Sequence, residues 1–362
     1  MIYLDCAATS RILPKAKEAM LYIYDKWGSE FANCSAQYNA GKKSNQYLNK
    51  LRARLYEIFN IPENYVLVFT SCASESNSLI FHSSKLPILV DRFSHPSCKN
   101  FPSCKLFSLG KLEEYIKEQS SLVSLSLVQH ETGMKYDHEL ALNLSKKYNS
   151  KLHIDASQVK KIDVKNLNAD YITISSHKLG GPIGIAAVIS KSLLNAQIFG
   201  GSQEFNMRAG TQALPLITGF VEACSQMQEN DFFEDHFKEL KNYMKKLIDS
   251  NYFLENLINA EFVDNIVCLV LDKIPSSELA AFMDLNGIAI GIGSACKSGS
   301  LDGMDAIVQL NLEENAMLYK NAEYNKLSEQ NVVRISFDFA TTKNDIEIFA
   351  NKFNEFMKVR AQ

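Results

Sequence analysis

The chain has 362 residues, enough for about two domains. Its 46% hydrophobic and 22% charged content is that of an ordinary globular protein, and a net charge of -3 gives no reason to expect nucleic acid or an anionic membrane as partner. No run of about 18 apolar residues occurs, so no transmembrane helix is expected. The opening MIYLDCAAT lacks the basic and apolar regions of a secretory signal. The eight cysteines are scattered without a C-x-x-C pair, which fits reduced thiols in a cytosol and points to no metal site.

Pro14 is placed to open a helix running to about Lys26, with Ala16, Ala19, Met20 and Ile23 on one face. Residues 28–40 read as a loop, and Leu48, Leu51, Leu55 and Ile58 predict a second helix over 43–59. From Tyr65 the pattern becomes alternating strand and helix. Val66–Phe69 has the length and continuous apolarity of a strand covered on both faces. Thr70 to Asn77 then supplies small hydroxyl residues before a helix, a segment suited either to a phosphate or to plain N-capping by serine.

Further strands are expected at 88–90, 122–128 and 152–154, separated by helices around 111–119 and 140–148. They exit at His95, at His130 and at Asp155. Tyr171–Ile174 is another strand, breaking into Ser175, Ser176, His177 and Lys178 before Gly180, Gly181 and Pro182. A lysine on such an edge is a candidate Schiff-base residue for pyridoxal 5'-phosphate; the plain alternative is a solvated loop lysine. An open, mostly parallel sheet gathers ligands beyond the carboxyl ends of its strands, so Ser74, His95, His130, Asp155, Gln158 and Lys178 are expected to converge there.

A second glycine-containing region spans 200–211, and the amphipathic stretch 233–247 reads as a bridge to a second domain. That domain is expected to start with the strand Ile266–Leu271 and end near the strand 332–337. Between them, 291–299 forms a loop in which Lys297 favours the thiolate of Cys296. Residues 311–330 are polar and rich in Asn and Glu.

The ordered set YLDCAAT (3–9), FTSCASES (69–76), SH (94–95), HIDASQ (153–158), SSHKLGGPIG (175–184), MRAGT (207–211), GSAC (293–296) and VRISF (333–337) resembles the NifS/IscS-type cysteine desulfurases of aminotransferase class V. The resemblance covers nearly the whole chain. It implies an α/β fold of the fold-type I pyridoxal phosphate enzymes: a large domain, 12–245, with a mostly parallel central sheet, and a smaller α/β domain from 1–11 and 246–362 carrying the cysteine loop 291–300. It also implies a homodimer, L-cysteine as substrate, pyridoxal 5'-phosphate as cofactor, and a sulfur acceptor or iron–sulfur scaffold as partner.

Position by position, Lys178 matches the cofactor-binding lysine and Asp155 the partner of the ring nitrogen. Ser74, Ser175 and His177 match the phosphate-binding positions, and Thr211 one contributed by a neighbouring subunit; Ala73 and His130 fall at further cofactor-binding positions, where His130 can still donate one hydrogen bond to the phenolic oxygen. Gln158 matches a ligand of the phenolic oxygen, and His95 the ring-stacking histidine, itself an acid–base candidate. Arg334 and Asn33 match substrate-binding positions, and Cys296 the thiol that takes up sulfur as a persulfide. The chain departs from the pattern at His130, where the branch has asparagine, and at 33–38, where a proline and a histidine are replaced. The stretch 301–330 is also longer and more polar. Selenocysteine lyase, another C–S lyase, an aminotransferase, or a degenerate sulfur-relay protein remain alternatives for such a chain.

Overall fold

The computed structural model describes residues 1–271, 274–292, 306–307 and 331–360, and its contacts divide the chain into two units. The sheet unit comprises 12–127 and 137–230; the terminal unit comprises 1–11, 128–136 and 231–362. The expected large domain, 12–245, took in 128–136 and 231–245, which here associate with the terminal unit. The helix Phe232–Leu247, expected as a bridge, buries Phe233, Phe237, Leu240 and Met244 and lies with the helix Lys343–Arg360 of its own unit.

Among the described strands, β1 (Ile2–Leu4) belongs to the terminal unit. The sheet unit holds β2 (Val66–Thr70), β3 (Ile88–Asp91), β4 (Lys105–Phe107), β5 (Leu122–Ser126), β6 (Lys151–Asp155), β7 (Tyr171–Ser175) and β8 (Ala186–Ser190). They form one seven-stranded sheet in the order β2-β8-β7-β6-β5-β3-β4. Pairing is parallel from β7 through β4, and β8 runs antiparallel to both of its neighbours. All strands except β8 therefore point one way, and Thr70, Asp91, Ser126, Asp155 and Ser175 end at the same edge. β8 was not anticipated. Its five residues are all buried, because it sits between β2 and β7 and is covered on both faces.

Helices cover the sheet. α1 (Pro14–Asp25) starts with proline at its first turn, as expected, and buries Ala16 and Ile23. It lies against the helix Leu214–Glu229 so closely that a Cβ on Gly219 would meet Met20 at 2.6 Å. α2 (Asn39–Ile58) starts four residues before the predicted 43–59 and buries Leu48, Leu51, Leu55 and Ile58. α3 (Ala73–Ser83) follows β2, and the one-turn α4 (Pro96–Lys99) follows β3.

The terminal unit contains β9 (Ile266–Val270), β10 (Ile288–Ile290) and β11 (Val332–Ser336). β1 pairs in parallel with β10, and β9 pairs antiparallel with β11. Cys296, most of the loop 291–300 and nearly all of 301–330 lie outside the described residues. No described helix is long and apolar enough to cross a membrane.

Ile189 is fully buried in β8, whereas Leu193 just beyond it is 73% exposed. Ile189→Ala is expected to cost about 2–5 kcal/mol and Leu193→Ala about 0.5 kcal/mol or less, measured by urea unfolding. Equal costs would contradict the two-faced burial of β8.

Candidate active site

The common edge of the parallel strands assembles a charged cluster in the sheet unit. Asp155 ends β6, flanked by Ser126 of β5 and Thr173 of β7, and is only 6% exposed. An isolated carboxylate buried there would be strongly disfavoured. Here Oδ1 accepts the Ser157 backbone N–H at 3.0 Å and Oδ2 accepts Asn77 Nδ2 at 3.1 Å. Burial raises the Asp155 pKa, but Ser157, the neighbouring His153 and the Lys178 ammonium outweigh it, holding the carboxyl below its ordinary range. Asp155 is therefore an anion at neutral pH.

Lys178 follows β7 in a short 3-10 turn, Ser176–Lys178, and its carbonyl accepts from Lys160 Nζ. Its positive charge reaches both nearby histidines. His95 is driven down to about 4 by burial and then by Lys178. His177 is also driven to about 4, again by burial first, then Lys178 and Lys160. Both rings are neutral at pH 7. Ser175 closes β7 with a hydroxyl that is buried and has no hydrogen-bond partner among the described residues. Gln158 lies buried on the loop after β6.

The segment after β2 begins α3. Cys72, not a serine, is its N-cap: Sγ accepts the Glu75 N–H at 3.5 Å. Ala73 and Ser74 are the first helical residues, whose N–H groups lack partners within the helix and face outward at its positive end. Glu75 accepts the Ser71 N–H at 2.7 Å and pairs with Arg208 at 3.0 Å, tying MRAGT to this turn. Thr211, three residues on, is exposed, and no hydrogen bond among the described residues joins it to the cluster.

Asn33 is exposed, with its Oδ1 accepting the Ser35 N–H at 2.8 Å. Its neighbour Cys34 helps to line a pocket of about 630 Å³ with Gln37, Asn49, Arg52, Gln203 and Glu204, which contains none of the cluster residues.

In the terminal unit, Arg334 on β11 is 2% exposed. Its Nη2 donates to Asp5 Oδ1 and its Nη1 to the His130 carbonyl, each at 2.7 Å. Gly291 exchanges both backbone hydrogen bonds with Arg334, and a Cβ there would stand 2.8 Å from Asp5 Oδ1 and 3.0 Å from Arg334 Nε. Glycine at 291 thus makes room for the ion pair. His130 is buried, its Nδ1 lying 3.5 Å from Gln129 Nε2. Of the six residues expected to converge, His130 alone belongs to this unit.

Residues 2–92 and 102–349 match the family described as Aminotransferase class-V. The chain belongs to this family. Its relatives within class V are of the NifS/IscS type, as the motifs implied. It is 31% identical to cysteine desulfurase IscS of Plasmodium falciparum over 86% of this chain and 63% of that protein, so it spans less than two thirds of that relative. It is 25% identical to putative cysteine desulfurase IscS 1 of Bacillus subtilis over 99% of this chain and 98% of the relative. Among solved structures, a NifS-like protein from Rickettsia africae superposes with a TM-score of 0.86 at 26% identity, covering 99% of both chains. The fold is the fold-type I α/β architecture.

In this class-V chain, sequence reasoning passed over Asn77, His153 and the Glu75–Arg208 pair. His153 is fully buried between Ser124 Oγ at 2.9 Å and Thr173 Oγ1 at 3.1 Å, edge-on to Phe81. Strand periodicity carried a signal for it, since residues two apart share a face and 153 lies under 155. Burial lowers its pKa from 6.5 to about 4 despite the opposing pull of Asp155. A folded-state value below the unfolded one means stability is complete above 6.5 and is lost as pH falls toward 4. His153 is expected to remove up to about 1.4 kcal/mol per pH unit across that window. Urea midpoints of wild type and His153→Gln from pH 7 to 4.5 check this: the wild-type slope should be the steeper, and parallel slopes would dismiss the assignment.

Proposed function

We propose that this class-V chain is a pyridoxal phosphate-dependent cysteine desulfurase that converts L-cysteine to L-alanine and takes up the sulfur on Cys296 as a persulfide. The observation that carries the proposal is the Lys178 ammonium set beside an ionised, buried Asp155 and two neutral histidines at the carboxyl edge of the sheet. The names of the relatives, cysteine desulfurases in Plasmodium falciparum and Bacillus subtilis, support the same reading.

The residues present suit the cofactor. Ser175 offers a buried hydroxyl without a hydrogen-bond partner among the described residues, and the first turn of α3 at Ala73 and Ser74 offers N–H groups that have no partner within the helix; both suit a phosphate. Asp155, kept ionised, would hold the proton of a pyridinium nitrogen. Gln158 and His177 would complete the polar lining, and His95 would stack on the ring. Bound there, the cofactor supplies an electron sink for the charge left at the substrate Cα. Lys178 would be the residue that holds it covalently, and as a free amine it would move the proton at the substrate Cα.

Arg334 is the proposed seat of the substrate carboxylate, for which a planar fork is suited. Asp5 and the His130 carbonyl hold the guanidinium in place, while Nε stays buried without a hydrogen-bond partner among the described residues. The Cys296 thiolate attacks the substrate sulfur, forming the S–S bond as the Cβ–S bond breaks, and the carbon skeleton leaves as alanine after protonation. A homodimer in which Thr211 serves the neighbouring subunit, and a sulfur acceptor or iron–sulfur scaffold as partner, complete the reading. A cytosolic setting agrees with its reduced thiols.

Purified protein mixed with pyridoxal phosphate is expected to show a visible-edge absorbance band that Lys178→Ala abolishes. L-cysteine with a reductant should yield sulfide and alanine, with activity lost in Cys296→Ser; full turnover without that thiol would exclude the persulfide step. Arg334→Lys should raise KM for cysteine at least about tenfold, since one bidentate charge-assisted contact is worth roughly 1.5–3 kcal/mol. Unchanged KM would remove Arg334 from the substrate site.

A further inference from the structure

Behind the cluster, Asn77 and Ser97, neither of which has a role above, link Asp155 to His95 by hydrogen bonds. Asn77 lies in α3 with no exposed surface. Its Nδ2 donates twice, to Asp155 Oδ2 at 3.1 Å and to Ser97 Oγ at 2.9 Å. An ionised carboxylate can only accept, so the amide must present nitrogen rather than oxygen to Asp155. Ser97 Oγ accepts from Asn77 and so keeps its own proton for His95 Nδ1, 2.8 Å away. The Ser97 backbone N–H donates to the same ring nitrogen at 3.1 Å, with His95 acting as N-cap of α4. Nδ1 therefore carries the lone pair, and the neutral ring holds its hydrogen on Nε2.

We propose that Asn77 is a positioning residue that, through Ser97, holds His95 as its Nε2–H tautomer and ties it to Asp155, making the histidine a fixed neutral donor rather than a proton carrier. The proposal rests on the pyridoxal reading only for what the ring of His95 faces. A proton could enter at Nδ1 only by displacing two donors, so proton movement falls to Lys178. Burial disfavours the imidazolium, as do Lys178 and Lys99, while Asp155 favours it; the net is a ring neutral well below pH 6. The arrangement leaves Asn77 Oδ1 buried without a hydrogen-bond partner among the described residues. An apolar residue would not carry that penalty, so what the amide contributes here is its two donors.

The test is nitrogen NMR of the full chain labelled with ¹⁵N-histidine, before and after pyridoxal phosphate is added, with His95 signals assigned by their loss in His95→Gln. In wild type, Nδ1 should appear unprotonated and Nε2 protonated throughout pH 5.5–8. In Asn77→Ala, the tautomers should mix and the titration of His95 should rise by about one pH unit toward its ordinary value. Ser97→Ala, which removes the hydroxyl donor and keeps the backbone N–H, should show a change of the same sign and at least the same size. A protonated Nδ1 in wild type would overturn the proposal, as would folded Asn77→Ala with unchanged His95 signals. Should Asn77→Ala fail to fold, unchanged tautomer and titration in Ser97→Ala would overturn it. The cofactor-free spectra are read apart from any absorbance band, so failure of the pyridoxal reading and failure of this one are distinguishable.

Discussion

A carboxylate buried at the end of a central strand must be compensated, and the sheet unit is arranged around the compensation of Asp155. Desolvation alone would neutralise it. The backbone N–H of Ser157, the amide of Asn77 and the charge of Lys178 come from three different elements, and together they keep it ionised. Because these partners must arrive together, the positions of α3, the loop after β6 and the turn after β7 are linked. The same low dielectric keeps His95, His153 and His177 neutral. The Asp155 anion, with neutral imidazoles around it and the Lys178 ammonium acting on both, is the electrostatic arrangement at the carboxyl edge of the sheet.

The terminal unit meets the same constraint with the opposite charge. Arg334 is buried and would be unstable alone; Asp5 and the His130 carbonyl take two of its nitrogens, and a glycine at 291 makes space for them. The departure at His130 is thereby less consequential for this contact than its side chain suggests, since Arg334 uses the backbone carbonyl, which any residue supplies.

Much of the fold was legible. Largely apolar runs at 66–69, 88–90, 122–128, 152–154 and 171–174 correspond to β2, β3, β5, β6 and β7, because strands covered on both faces bury most of their side chains; Ser124, His153 and Thr173 interrupt them and satisfy one another by hydrogen bonds. β8 escaped, although Ile185 to Ile189 is as apolar, because its run follows directly on a glycine- and proline-rich turn that reads as loop. The phosphate-type segment was legible as a segment, but its cap was not. Sequence reasoning favoured a serine, whereas the turn uses Cys72 and the Glu75 carboxylate.

By itself, the sequence determined the class-V family, the parallel core and the identity of the charged residues at the strand ends, since periodicity and ordered motifs are local in the chain. Lys178 could be singled out in this way as a lysine on a strand-to-loop edge. Only the tertiary structure decided its electrostatic company and the tether from Asp155 through Asn77 and Ser97 to His95. Those hydrogen bonds join residues 78 and 20 positions apart, and contacts at such separations leave no periodic trace in the sequence.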